Sequence, residues 1–235
     1  MGKLPDFLII GASRCGTSSL FMNLLQHPQL DGPSCKEVHF FNKTKRYNCG
    51  IEWYKNRFPE TKNNTLCFEA SPAYFHKPIS VGRIFKHLPN CKFILLLRNP
   101  VDRAISYYSR WKTTDELWNP HELTAKNPCH GIVATGIYIQ TLRRWFDYFA
   151  RDRFLIIKSD DFFEDERKII TQCFDWLGVE SIDIEKPLFF DQKGKKRKWV
   201  PYQREVPDDV KEHLREFFKP YNQELYQFLG RDFGW

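Results

Sequence analysis

Between Phe7 and Leu20 the chain reads Phe-Leu-Ile-Ile-Gly-Ala-Ser-Arg-Cys-Gly-Thr-Ser-Ser-Leu, and the residues in its middle suit an anion. A glycine loop that feeds the first turn of a helix presents backbone N–H groups without partners, and the helix dipole adds partial positive charge, so the backbone itself can hold a phosphate. A nucleotide-hydrolysing loop of Walker type would place Lys directly after the second glycine and a Ser or Thr on magnesium. Here Thr17 follows Gly16 and the only cation of the loop is Arg14. The pattern fits a phosphate but not a magnesium triphosphate. Two further groups carry chemistry. Lys36-Glu37-Val38-His39 precedes Phe40 and Phe41, which can anchor in a core while Lys36, Glu37 and His39 stay near the mouth of the phosphate site. Arg98 ends the apolar run Cys91–Leu97, where a Walker B strand would end in a magnesium-binding Asp. A cation there suits a second phosphate and no metal.

These residues need a scaffold that brings strand ends together. Phe7–Ile10 predicts a buried strand, and Leu20, Phe21, Leu24 and Leu25 recur at helical spacing after the loop. His27-Pro28 and Gly32-Pro33 predict a loop, and residues 43 to 64 a surface helix with loops, with Trp53, Tyr54 and Phe58 in phase. Leu66–Glu69 predicts a strand entering Ser71-Pro-Ala-Tyr-Phe75, and Ile79–Leu88 a helix. The strand at 91 to 97 runs into a helix whose start is well specified: Asn99 as N-cap, Pro100 at the first position and Asp102 in the first turn. Residues 112 to 131 predict a surface loop. Tyr138, Leu142, Trp145 and Phe149 mark an amphipathic helix, Arg153–Lys158 a strand, and Ile169 to Leu177 a helix stopped at Gly178. A helix opened by Pro207 turns Val210, Leu214, Phe217 and Phe218 to the core, and a last one carries Tyr221, Leu225, Phe228 and Leu229 to Gly230. The β-α alternation predicts an α/β fold: a single domain over residues 1 to 235, P-loop-like, with a parallel sheet of four or five strands flanked by helices and ligands at the strands' carboxyl ends.

Composition narrows the class. With 235 residues, 42% hydrophobic and 28% charged, the chain can bury a sizeable core and is not disordered. A formal charge of +7 implies an acidic partner, and nucleic acid, nucleotide cofactor and anionic glycan all qualify. The seven Cys are scattered without a C-x-x-C pair, which argues against a zinc site and a dense disulfide framework, and most or all read as reduced. No apolar run approaches the roughly 18 residues of a membrane span, and no signal peptide precedes the first strand. That implies a cytoplasmic protein or a luminal domain whose anchor has been removed. Lys193-Gly-Lys-Lys-Arg-Lys198 is the densest basic run, open to reading as a localisation signal, a nucleic-acid patch or a solvated loop.

The loop at 11 to 20, Glu37-Val-His-Phe-Phe41, Ser71-Pro-Ala-Tyr-Phe75, Arg98-Asn-Pro-Val-Asp-Arg-Ala-Ile-Ser106, residues 136 to 149, the basic run and the closing Phe228–Trp235 occur in an order and spacing that resembles the sulfotransferases using 3'-phosphoadenosine 5'-phosphosulfate (PAPS). The likeness is greatest to the heparan sulfate N- and O-sulfotransferase branch. It implies a 5'-phosphosulfate loop at Arg14, Cys15, Gly16, Thr17 and Ser18, a 3'-phosphate site at Arg98 and Ser106, and a loop over the nucleotide at Lys196 and Arg197. It also implies Glu37 as general base, with Arg14 and Lys36 stabilising charge on the leaving bisphosphate and His39 orienting the acceptor or Glu37. The acceptor would be a hydroxyl or amine of a glycan or small metabolite, with no nucleic acid, membrane or metal involved. The chain departs from that branch in carrying Arg14 where Lys is usual, and Ala70 where a Lys precedes Ser-Pro-Ala-Tyr-Phe. A hairpin typical of luminal members is also missing between Phe190 and Lys193. A metabolite kinase and a non-catalytic polyanion-binding module are the competing readings.

Overall fold

The computed structural model describes residues 2–60, 64–112, 117–124, 131–184 and 205–235. The basic run at 193 to 198, with Lys196 and Arg197, lies outside the described residues, as do Cys129 and the hairpin position between Phe190 and Lys193. The chain forms two compact units, one from the described residues of Met1–Leu97 and Arg144–Lys198, the other from those of Arg98–Arg143 and Trp199–Trp235.

The first unit is an α/β layer structure. Its strands are β1 (Phe7–Gly11), β2 (Leu30–Asp31), β3 (Leu66–Ala70), β4 (Lys92–Leu97) and β5 (Phe154–Lys158). They pair in the order β2-β3-β1-β4-β5, and every pairing is parallel. Near-continuous apolar runs such as Phe93–Leu97 follow from burial on both faces, since parallel strands are covered by the helices that connect them. The chain places β2 and β3 on one side of β1 and then crosses to β4 and β5 on the other, so β1 sits at the switch point where an open parallel sheet leaves a crevice at its carboxyl ends. Two-residue β2 lies where the sequence predicts only a loop. Its pairing with Leu66 and Cys67 is too short to leave a period-2 signature.

Helix α1 (Thr17–Leu24) follows the β1 loop, and α2 (Thr44–Tyr47) and α3 (Ile51–Lys55) fill the stretch predicted as a surface helix. That expectation needs correcting at Tyr54, which is fully buried and stacked on Phe40 at 4.6 Å. Trp53 and Tyr54 lie in α3 and Phe58 beyond its end, and this aromatic group meets the anchor of the 36–41 segment and not solvent. α4 (Ala73–His76), α5 (Pro78–His87), α8 (Ser159–Glu164) and α9 (Glu166–Leu177) complete the unit, and α9 ends on left-handed Gly178. The six described cysteines are free.

The second unit is helical. In α6 (Pro100–Trp111) the Asn99 side chain accepts from Val101 N at 3.0 Å and Pro100 occupies the first position, the start read from the sequence. α10 (Asp208–Leu229) packs Val210, Leu214 and Phe218 with Val101, Ala104 and Tyr108 of α6. The sequence predicts two helices broken before Tyr221. Instead one helix runs through Pro220, because Pro220 and Glu216 are both exposed and water can satisfy the carbonyl that loses its N–H. The buried stripe Val210, Leu214, Phe218, Asn222, Leu225 keeps its phase across the proline. Phe217, expected in the core, is instead exposed. Helix α7 (Tyr138–Phe146) joins the two parts of the chain. Among the described residues no helix is long and apolar enough to cross a membrane.

Trp145 stands behind the site. It is 1% exposed, packs on Phe93 at 5.3 Å and donates its indole N–H to the carbonyl of Phe75 at 3.1 Å. Trp145→Ala should therefore lower unfolding free energy by about 3–5 kcal/mol, seen as a lower urea midpoint at unchanged slope.

Candidate active site

The 12–16 loop is gripped from the ends of neighbouring strands. Ala12 N donates to Leu96 O of β4 at 2.7 Å, and the buried Ser159, directly after β5, donates its hydroxyl to Cys15 O at 2.9 Å. Gly11 has to be glycine: a Cβ there would lie 2.7 Å from Cβ of Phe75 and 3.3 Å from Pro72 O. Gly16 is left-handed at φ 92°, and Phe162 and Phe163 close against it, so a side chain would be both strained and obstructed.

Gly16 is the N-cap of α1, whose first intrahelical bond runs from Leu20 N to Gly16 O at 3.1 Å. No side chain caps this terminus and its first turn holds no acidic residue. The amides of Thr17, Ser18 and Ser19 therefore lack intrahelical acceptors, which leaves the helix terminus suited to an anion. Arg14, half-buried with φ 71°, and buried Cys15 complete the loop.

The Lys36–His39 segment lies at the end of the adjacent strand. Glu37 N donates to Ala70 O at 3.1 Å, and Ala70 is the register partner of Ile9, two residues before Gly11. The loop thus leaves the carboxyl edge of β1, and the 36–39 segment is bonded to the carboxyl edge of its parallel neighbour β3. Glu37 and His39 are left-handed at φ 66° and 55°. Among the described residues only four non-glycine residues have positive φ, and three of them, Arg14, Glu37 and His39, are candidates named from the sequence. Such conformations cost about 1–3 kcal/mol each and gather at functional sites.

The carboxylate of Glu37 is held from two sides. Lys36 Nζ lies 2.7 Å from Oε1, and His39 Nε2 lies 3.2 Å from Oε2. Burial alone would raise the Glu37 pKa, but the hydrogen bond from His39 and the charge of Lys36 outweigh it and hold the pKa at about 2. For Lys36 burial is the dominant influence and lowers its pKa, against the attraction of Glu37. The triad is an ion pair in a partly dry setting, with histidine as a second donor.

Residues of the 71–75 segment hold this segment's backbone. Ser71 Oγ accepts from His39 N at 3.1 Å, and the Tyr74 hydroxyl accepts from Phe40 N at 2.9 Å and Phe41 N at 3.4 Å. The sequence quotes this motif without giving its side chains a task. The available signal was two hydroxyls following a buried strand with a carboxyl, Glu69, as its penultimate residue. Arg98 and Ser106 belong to the second unit. Arg98 immediately precedes the α6 N-cap and its carbonyl accepts from the Tyr138 hydroxyl at 2.9 Å, while Ser106 lies half-exposed in the second turn of α6.

Comparison with known proteins finds relatives over nearly the whole chain. Residues 4–228 match the family described as "Sulfotransferase domain". The chain is 30% identical to heparan sulfate glucosamine 3-O-sulfotransferase 6 of Mus musculus, over 99% of its own length and 74% of the relative's. It is likewise 30% identical to heparan sulfate glucosamine 3-O-sulfotransferase 5 of Homo sapiens over the same shares. Among solved structures, a sulfotransferase from Alicyclobacillus acidocaldarius superposes with a TM-score of 0.76 at 28% identity, covering 98% of this chain and 97% of the other.

The depressed pKa of Glu37 has a stability consequence with a definite sign. Because its folded pKa of about 2 lies below the ordinary 4.5, ionised Glu37 stabilises the fold fully above about pH 4.5, and this is lost as pH falls toward 2. The difference in urea midpoint between wild type and Glu37→Gln should hold constant from pH 7 to 5 and shrink below pH 4.5. A difference that grows on acidification would contradict the ion pair.

Proposed function

The chain belongs to the sulfotransferase family, and we propose that it moves a sulfuryl group from PAPS to a hydroxyl of a glycan or small metabolite, with Glu37 as general base. The observation that supports this reading is the adjacency of two strand ends: the uncapped start of α1 after β1, and Glu37, whose backbone N–H is bonded to the end of β3. The names of the relatives favour a hydroxyl over an amine. Alanine at position 70, where the family pattern has lysine, removes one cation and favours an acceptor less anionic than heparan sulfate.

PAPS, when bound, supplies the sulfuryl group and a good leaving phosphate. The chain's residues suit its charges. Amides of Thr17 and Ser18 with Arg14 would hold the 5' end. Arg98 and Ser106 are proposed for the 3'-phosphate from the family pattern alone. Cys15 and Gly16 contribute backbone only, since Cys15 is buried and Gly16 has no side chain. Lys196 and Arg197 are proposed for the nucleotide from the family pattern alone.

Glu37 takes the proton of the attacking hydroxyl. At a pKa of about 2 it is too weak a base for that task, because Brønsted behaviour favours a base nearer the working pH. Lys36 resolves this. When its ammonium turns from Glu37 to the donor's oxygens, one of the two groups holding the carboxylate low is withdrawn and the carboxylate becomes more basic. His39 keeps Oε2 in place meanwhile and fixes which oxygen faces the acceptor. The base is thereby unmasked only once an anion occupies the loop.

Calorimetry with adenosine 3',5'-bisphosphate and with ADP, each in EDTA, tests the site. The bisphosphate should bind at least tenfold more tightly than ADP, a preference of about 1.4 kcal/mol, and equal binding would contradict the assignment. Glu37→Gln should keep bisphosphate affinity while sulfuryl transfer from PAPS falls by about 10²–10⁴. Turnover within tenfold of wild type would remove Glu37 from the role.

A further inference from the structure

Beneath the Lys36–Glu37–His39 triad lies a carboxyl that the proposed chemistry does not use. Glu69, in β3, is completely buried, and neither of its oxygens makes a hydrogen bond of ordinary geometry. Its neighbours are the hydroxyls of Tyr54, Tyr74 and Ser71, with Lys36 and His39 near enough to feel its charge. Burial pushes its pKa up, against the influence of these hydroxyls and of His39, so the neutral acid is favoured.

The hydrogen bonding of the segment is incomplete in a complementary way. Ser71 Oγ and the Tyr74 hydroxyl both spend their oxygens as acceptors, from His39 N and from Phe40 N and Phe41 N. Each then has a proton to donate, and hydroxyl protons rotate freely to find an acceptor. A fully buried carboxyl without partners is costly and needs donors. Tyr54, whose hydroxyl is also buried without a partner, offers an oxygen to the acid's own proton.

We propose that Glu69 is a positioning residue of the transfer reaction: it accepts hydrogen bonds from the hydroxyls of Ser71 and Tyr74, and so fixes the two oxygens that grip the backbone of residues 39 to 41 and steady the left-handed segment from Glu37 to His39. Glu69 touches no reacting atom and acts through Ser71 and Tyr74. The strained conformation at Glu37 and His39 persists only while their neighbours are held, and the bonds from the 71–75 segment do much of that holding. The proposal rests on the reading of Glu37 as general base.

The test compares Glu69→Gln, Glu69→Leu and Tyr74→Phe by amide hydrogen exchange and by steady-state transfer from PAPS. Glutamine keeps an accepting oxygen and a donor in the places of the neutral acid, whereas leucine keeps only bulk. Glu69→Leu should speed exchange of the His39, Phe40 and Phe41 amides by about tenfold or more, and lower kcat by a similar factor with KM for PAPS within twofold. Glu69→Gln should restore both. Tyr74→Phe should speed exchange at Phe40 and Phe41 while sparing His39. Undiminished protection of these amides in Glu69→Leu, or a Glu69→Gln protein as impaired as the leucine variant, would overturn the proposal. If Glu69→Leu does not fold, Tyr74→Phe decides, and unchanged exchange at Phe40 and Phe41 overturns it. Exchange is read without turnover, so a fully active Glu37→Gln enzyme would sink the base assignment while the exchange rates still decide the role of Glu69.

Discussion

The bond from Glu37 N to Ala70 O is the constraint on which the site depends. It ties a segment that has left the sheet back to the carboxyl end of β3, beside the strand whose end begins the anion loop. Without it, residues 36 to 39 would be a charged surface stretch before an aromatic anchor. With it, an ammonium at 2.7 Å and an imidazole at 3.2 Å flank one carboxylate, with Glu37 and His39 on backbone that relaxed residues would avoid. Buried Phe40 and Phe41 anchor the segment on the other side, Phe40 stacked on Tyr54 and Phe41 edge-on to Tyr54 and Tyr74.

The loop and the triad solve one electrostatic problem by different means. Around the loop, α1 starts at an uncapped left-handed glycine, and the strand neighbours orient the turn through Ala12 and Cys15; in the proposed function these fixed dipoles would hold the donor's charge. In the triad, charge is stored as an ion pair, which in the proposed function the donor's anion rearranges. Lys36 and Glu37 keep each other ionised despite burial, which leaves the carboxylate weakly basic at rest and able to respond when the ammonium finds another partner. A rigid anion cradle beside an exchangeable pair suits transfer of a group that arrives with its own negative charge.

The parts legible in the sequence are those with a local physical cause. The strand-loop-helix at Phe7–Leu24 was marked by its glycines, the α6 start by Asn99 and Pro100, and the parallel sheet by its apolar runs. The less legible parts depend on distant partners. β2 is too short for any period, Tyr54 is buried because Phe40 lies over it, and α10 passes Pro220 because that residue faces water. At the site, residue types gave Arg14, Glu37 and His39, but not their left-handed backbone, since nothing in the sequence demands φ above zero from a charged residue. Nor could the tasks of Ser71 and Tyr74 be read, because both act on a segment more than thirty positions away.

The central claim is that backbone amides at the start of α1 hold the donor's 5'-phosphate beside Glu37 without a metal. A crystal structure with adenosine 3',5'-bisphosphate grown in EDTA tests it most directly. The account predicts the 5'-phosphate within about 3 Å of the amides of residues 16 to 18, with Lys36 drawn toward it and the Glu37 carboxylate facing the vacated sulfuryl position. A 5'-phosphate bound away from these amides, or Glu37 turned from it, would contradict the account.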